Sequence, residues 1–129
     1  MVKEAPITAA SHQGGSHPRG LGLPDDAFEQ RRPLKGQITK REVRALALYS
    51  LGLRSDSVVW DIGAGTGSIA VEAGLIAREG RVFAIERDTE SVSHLELNVE
   101  RWSAGNVTIV AGEAPDALKD LTGPDSVFI

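Results

Sequence analysis

The sequence predicts an α/β fold, a parallel sheet flanked by helices in the doubly wound manner. Three observations predict it. Short apolar runs alternate with amphipathic stretches at a spacing of roughly 20–25 residues, the rhythm of right-handed βαβ crossovers. Glycines at alternate positions, Gly63, Gly65 and Gly67, follow the first apolar run directly and open an amphipathic stretch. Apolar residues make up 41% of the 129 and charged residues 25%, a globular proportion.

The elements follow in order. Residues 1–20 stand apart: Ala5 to Gly20 is rich in Ala, Ser, His and Gly without periodicity and reads as a flexible tail or linker remnant. His12 and His17 in it read as solvated, because two histidines without partners rarely complete a metal's coordination sphere. Leu21 to Gly36 is an irregular approach segment, with Phe28 as its candidate anchor. The first helix is expected from Thr39, where Thr39-Lys40-Arg41-Glu42 has the form of a capping box. Val43, Leu46, Ala47 and Leu51 give it one apolar face, and Gly52 ends it. Val58 to Trp60 reads as a buried strand. Thr66 to Arg78 reads as a helix with Ile69, Ala73, Ile76 and Ala77 on one face, stopped by Gly80. Arg81 to Glu86 is a second strand. Asp88 or Thr89 caps a third helix carrying Val92, Leu95 and Val99, with a solvent-facing His94 and with Trp102 packed near its end. Val107 to Val110 is a third strand, Pro115 opens a short helix to Leu121, and Ser126 to Ile129 is a fourth strand. There is no internal repeat. Parallel sheets usually continue on both sides of their first strand. Residues 21–129 therefore read as the N-terminal part of a domain whose later strands are missing.

Composition excludes several chemistries. The chain has no cysteine, so disulfides, zinc–thiolate sites, iron–sulfur clusters and cysteine nucleophiles are ruled out. Lys and Arg total 14 against 18 Asp and Glu, and a net charge of −4 provides no global field for nucleic acid. No apolar run approaches the roughly 18–20 residues of a membrane helix, and no basic segment precedes an apolar core at the N-terminus. The expected location is the cytoplasm.

The strongest chemical signal is Trp60-Asp61-Ile62-Gly63-Ala64-Gly65-Thr66-Gly67. A glycine loop between strand and helix lets backbone N–H groups approach a ligand closely. Two ligand classes compete. Gly65-Thr66-Gly67-Ser68-Ile69-Ala70 fits the dinucleotide fingerprint, with Glu86 about 20 residues further on. Asp61 points the other way, since a carboxylate two residues before the first glycine repels a pyrophosphate. It suits a ligand with an ammonium and a sulfonium, as in S-adenosylmethionine. Glu86 serves the ribose of either ligand. The rival roles are a loop cap for Asp61 and an ion pair with Arg87 or Arg81 for Glu86. Gly112-Glu113-Ala114-Pro115 follows the third strand, so Asp61, Glu86 and Ala114 are expected at one rim. There small Ala114 leaves room for an adenine; the rival reading is a helix cap by Glu113 or Asp116.

Gly36-Gln37-Ile38-Thr39-Lys40-Arg41-Glu42-Val43-Arg44, the glycine loop, Ala84-Ile85-Glu86-Arg87 and Gly112-Glu113-Ala114-Pro115 together resemble the decarboxylating precorrin methyltransferases of cobalamin biosynthesis. Leu21 to Phe28 is also similar to that family's approach segment. The resemblance implies a Rossmann-like, S-adenosylmethionine-dependent enzyme. Such an enzyme methylates carbon 15 of a corrin precursor and removes the carboxylate of a neighbouring acetate. It implies cofactor contacts at Thr39, at Gly63, Ala64, Gly65, Thr66 and Gly67, at Glu86 and at Ala114. Thr39 keeps its rival role as helix cap. The family also occurs as the C-terminal half of a larger protein whose other half is a second methyltransferase. Arg31, Arg32, Arg41 and Arg44 form a candidate basic edge for a polycarboxylate tetrapyrrole; a solvated face with local ion pairs is the alternative. Exposed sheet edges make self-association plausible. No side chain offers itself as a covalent nucleophile.

Overall fold

The computed structural model describes residues 20–31 and 38–129. The expected tail with His12 and His17, and the stretch 32–37 that includes Arg32, lie outside the described residues. Helix α1 is Arg41–Ser50, strand β1 Val58–Ile62, helix α2 Ser68–Ile76, strand β2 Arg81–Glu86, helix α3 Thr89–Trp102, strand β3 Val107–Ala111 and strand β4 Ser126–Phe128. The four strands form one parallel sheet in the order β3-β2-β1-β4. The chain steps outward through β2 to β3, then returns to the far side of β1. That reversal creates a crevice at the carboxyl ends of the strands beside β1, the place where open α/β sheets bind ligands.

Register explains the core. Val59 pairs with Val82, and Val82 with Val107; one row on, Asp61 pairs with Ala84 and Ala84 with Ile109. Alternate residues of a strand share a face, so these rows pack against Ile69, Ala70 and Ala73 of α2 and Leu95 of α3. Every residue from Ser68 to Leu75 is buried. The sheet covers one side of α2, and a second cluster of Leu23, Phe28, Ile38, Val71 and Leu75 covers another. A helix apolar on several sides is a buried helix. The single face expected for it is therefore only half of its packing.

The described part of the approach segment, residues 21–31, is a strap held by a buried ion network. Arg44 is fully buried; its Nε donates to Glu72 at 2.5 Å, and its other nitrogens reach Asp25, the Thr39 carbonyl and the Leu23 carbonyl. Glu72 in turn accepts from the backbone N–H groups of Gly22 and Leu23. Phe28 is buried beneath the Arg44 guanidinium, 5.1 Å from ring centroid to carbon, as its role of anchor requires. Trp102 packs against the same cluster and donates to the Ala27 carbonyl at 3.1 Å.

This network corrects several expectations. The first helix starts at Arg41, with Lys40 as its N-cap and no capping side chain from the cap residue. The Arg41 N–H is met by Asp25, at 2.9 Å, from the strap. A carboxylate distant in sequence thus does the work expected of Thr39. The helix face is also different. Val43 and Leu46 are 57% and 67% exposed, while Arg44 and Leu48, one turn apart, point inward. Burying the Arg44–Glu72 pair sets that rotation. Arg44 is therefore no part of a basic edge, and Arg31 pairs with Asp88 and Glu90 at 3.4 and 2.5 Å. His94 is half-buried on α3 rather than wholly solvent-facing. The short helix from Pro115 is only a single 3-10 turn, Asp116–Leu118. The connection must cross three strand spacings, about 14 Å, to reach β4. The Trp60 indole pins it by donating to the Thr122 carbonyl at 3.0 Å. The cap of α3 is as expected: Asp88 accepts from the Ser91 N–H at 2.8 Å.

Candidate functional site

The glycine loop joins β1 to α2, and its three glycines have φ of +77° at Gly63, +56° at Gly65 and +84° at Gly67. Side chains rarely adopt that region, which is why the loop needs glycine there. A Cβ on Gly67 would also lie 2.3 Å from a methyl of Leu95. The N–H groups of Gly63 and Ala64 both donate to the Ile85 carbonyl at 2.9 Å, and that of Gly67 to the Ala64 carbonyl at 2.8 Å. The Gly65 N–H donates to the Glu86 carboxylate at 2.8 Å. Four loop donors are thus satisfied within the protein.

Glu86 ends β2 and is 9% exposed. Its Oε2 accepts from Gly65, and its Oε1 accepts from the N–H groups of Arg87 and Asp88, each at 2.9 Å. A carboxylate has about four acceptor sites, so one remains for a ligand hydroxyl. The ion-pair alternative does not form. Arg87 pairs with Glu113 at 2.8 Å, and the Arg81 guanidinium lies over the Phe83 ring.

Asp61 is 1% exposed on β1, and its Oδ2 has no hydrogen-bond partner among the described residues. Burial pushes its carboxyl up to about 7, the charge of Glu86 adds to that, and the Ala70 backbone N–H opposes it. The capping interaction is therefore real but partial. It leaves one buried oxygen without a partner among the described residues.

A cavity of about 310 Å³ opens at the carboxyl ends of β1, β2 and β3. Gly63, Glu86 and Ala114 line it together, with Ile62 and Ile85 in its wall and Arg87 and Glu113 at its lip. Its size falls within the roughly 300–1,000 Å³ of small-molecule sites. The other expected residues do not line it. Gly65 is tied to it through Glu86, and Ala64 packs on the core. Thr66 is buried, Asp61 lies within the sheet, and Thr39 is half-buried at the start of α1. A larger cavity of about 660 Å³ between the strap, α1 and α2 holds none of the expected cofactor contacts, although Arg41 of the expected basic edge lines it.

Sequence reasoning missed two groups. Asn98 on α3 is fully buried and donates to the Thr66 carbonyl at 2.8 Å. Its signal was a polar residue one turn from Leu95 on the apolar face. The Arg87–Glu113 pair had no local signal, since its members lie 26 residues apart.

This donor set fits a nucleoside that carries positive charge better than a pyrophosphate. The Glu86 carboxylate lines the cavity with an acceptor site free, Glu113 at the lip is paired with Arg87, and four loop N–H groups have protein acceptors already.

Residues 26–129 match the family described as precorrin methyltransferase domain. Over 112 residues the chain is 45% identical to a probable cobalt-precorrin-6B C(15)-methyltransferase (decarboxylating) of Sulfolobus acidocaldarius, covering 84% of this chain and 56% of that one. It is 41% identical to the precorrin-6Y C(5,15)-methyltransferase [decarboxylating] of a Sinorhizobium species, over 87% of this chain and 26% of that one. The crystal structure of a precorrin-6y C5,15-methyltransferase from Geobacter metallireducens superposes with a TM-score of 0.78 at 42% identity, covering 83% of this chain and 55% of that one. The chain spans about half the length of the cobalt-precorrin relatives it matches.

Proposed function

This chain belongs to the precorrin methyltransferase domain family, and on that premise we propose that it forms the cofactor-binding part of an S-adenosylmethionine-dependent methyltransferase. The proposed reaction is methylation of carbon 15 of a corrin precursor, with loss of carboxylate from the adjacent acetate, in cobalamin biosynthesis. Bound S-adenosylmethionine supplies an electrophilic methyl group on a sulfonium. The chain's own residues bind and orient. Glu86 accepts a hydrogen bond from a ribose hydroxyl with its free acceptor site. Asp61 does not line the cavity, so its part is the negative charge it places within the sheet, which favours the ammonium side of the ligand without touching it. Ala114 leaves space for the base, and Gly63 to Gly67 allow the loop to approach closely. Thr39 completes the proposed contacts. Methyl transfer to carbon needs in-line positioning and exclusion of water rather than a protein nucleophile.

The observation that supports S-adenosylmethionine over a dinucleotide is the Gly65–Glu86 hydrogen bond. It places a carboxylate against the loop, where a pyrophosphate would need bare N–H donors. Calorimetric titration with S-adenosylhomocysteine and, separately, NAD tests this. Saturable binding of the first alone is expected; binding of NAD alone would reverse the assignment. Turnover is proposed for the longer protein, in the cytoplasm, with the tetrapyrrole as substrate. Fusion to, or association with, a second precorrin methyltransferase domain belongs to the same proposal. No described helix is long and apolar enough to cross a membrane.

A further inference from the structure

We infer that Asn98 is a positioning residue for the glycine loop, tying the loop's shape to the docking of the strap. The inference rests on the cofactor reading above for its functional meaning, and on geometry for the rest. The Asn98 side chain is 1% exposed. Its Nδ2 donates to the Thr66 carbonyl at 2.8 Å and to the Glu29 carbonyl at 2.9 Å, while its Oδ1 accepts from the Glu29 N–H at 2.7 Å. Both amide hydrogens are therefore spent, one on the loop and one on the strap. Toward Glu29 the amide acts like the edge of a neighbouring strand, offering a donor and an acceptor to one residue's backbone.

Leu95 lies on the same face of α3, one turn earlier, and its methyl fills the space beside Gly67. Helix α3 thus holds two consecutive loop residues, Thr66 by a hydrogen bond and Gly67 by packing. These two lie where the loop turns into α2. On the opposite side the loop is held by β2, through the Ile85 carbonyl and Glu86. The loop is clamped between β2 and α3, and Asn98 supplies a polar link in the α3 half of the clamp. The strap lines no part of the nucleoside cavity. Through Asn98 it nevertheless braces the loop that does.

Loss of the amide leaves backbone groups of the loop and the strap without partners, and an unmade hydrogen bond at a buried group is destabilising. The test compares Asn98→Ala with Leu48→Ala, a core truncation on α1 that removes no hydrogen bond of the bridge, under conditions where circular dichroism shows both folded. Two quantities are read: S-adenosylhomocysteine affinity by calorimetry, and amide hydrogen exchange at Gly65 and Gly67. Asn98→Ala is expected to weaken binding about tenfold or more and to speed exchange at those two amides. Leu48→Ala is expected to keep wild-type affinity and loop protection. Asn98→Asp keeps the acceptor for Glu29 but removes both donors, and it serves with the same expectation if the alanine variant does not fold. Unchanged affinity and exchange in the Asn98 variants, or equal losses in Leu48→Ala, would overturn the inference. If the wild-type chain itself binds no S-adenosylhomocysteine, the cofactor reading fails separately and hydrogen exchange decides the role of Asn98.

Discussion

Replacing Asp61 by Asn should make the ligand-free protein more stable and a worse binder. The Asp61 carboxyl is buried, with one oxygen unpartnered, and titrates at about 7 instead of its ordinary 3.8. Burial is the main cause, and the Glu86 carboxylate adds to it. A carboxyl whose pKa rises on folding binds its proton more tightly in the folded state. Its contribution to stability is fully present at low pH, declines from about pH 4, and is lost as pH rises through about 7. At 1.36 kcal/mol per tenfold change in proton affinity, the ionised form costs the fold about 4 kcal/mol. Between pH 5 and pH 8 this one group removes about 2–3 kcal/mol. Urea denaturation of wild type and Asp61→Asn at both pH values isolates that loss, since all other titrating groups are shared. The variant should gain on the wild type by about that amount at pH 8 relative to pH 5. Parallel stability profiles for the two proteins would refute the reasoning. The functional counterpart is that wild-type affinity for S-adenosylhomocysteine should rise as pH passes about 7, as Asp61 ionises, whereas the Asn variant should show no such rise.

Two further outcomes follow from packing. Gly67→Ala combines φ of +84° with a contact of 2.3 Å to Leu95, so thermal denaturation should show a loss of about 1–3 kcal/mol or more and calorimetry a weaker cofactor site. Arg44→Met strands the buried Glu72 carboxylate and should cost about 3–5 kcal/mol in chemical denaturation; adding Glu72→Leu should recover much of that loss, and failure to recover it would show that the strap depends on the charge pair itself.

Much of this fold was legible because its signals are local. The strand Arg81–Glu86 has the expected limits, and Asp88 caps α3 through a neighbour three residues away. The glycine loop declares itself by spacing, and of the three residues expected at one rim Glu86 and Ala114 line one cavity, because neighbouring parallel strands end on one side, while Asp61 is buried within the sheet. What was not legible depends on contacts between distant residues. The cap of α1 comes from Asp25, and its inward face is chosen by Glu72, 28 residues beyond Arg44. A helical pattern with apolar residues on two faces does not say which face a buried ion pair will claim. Asn98 was hidden for the same reason, since its partners lie 32 residues away in the loop and 69 away in the strap.

The most direct test of the central claim is calorimetric titration of this chain and of Glu86→Ala with S-adenosylhomocysteine. The account predicts saturable binding by the wild type that is lost in the variant, because Glu86 both receives the ligand's hydroxyl and holds Gly65 in place. Equal affinity of two folded proteins, or no binding by a wild-type chain that circular dichroism shows to be folded, would contradict it.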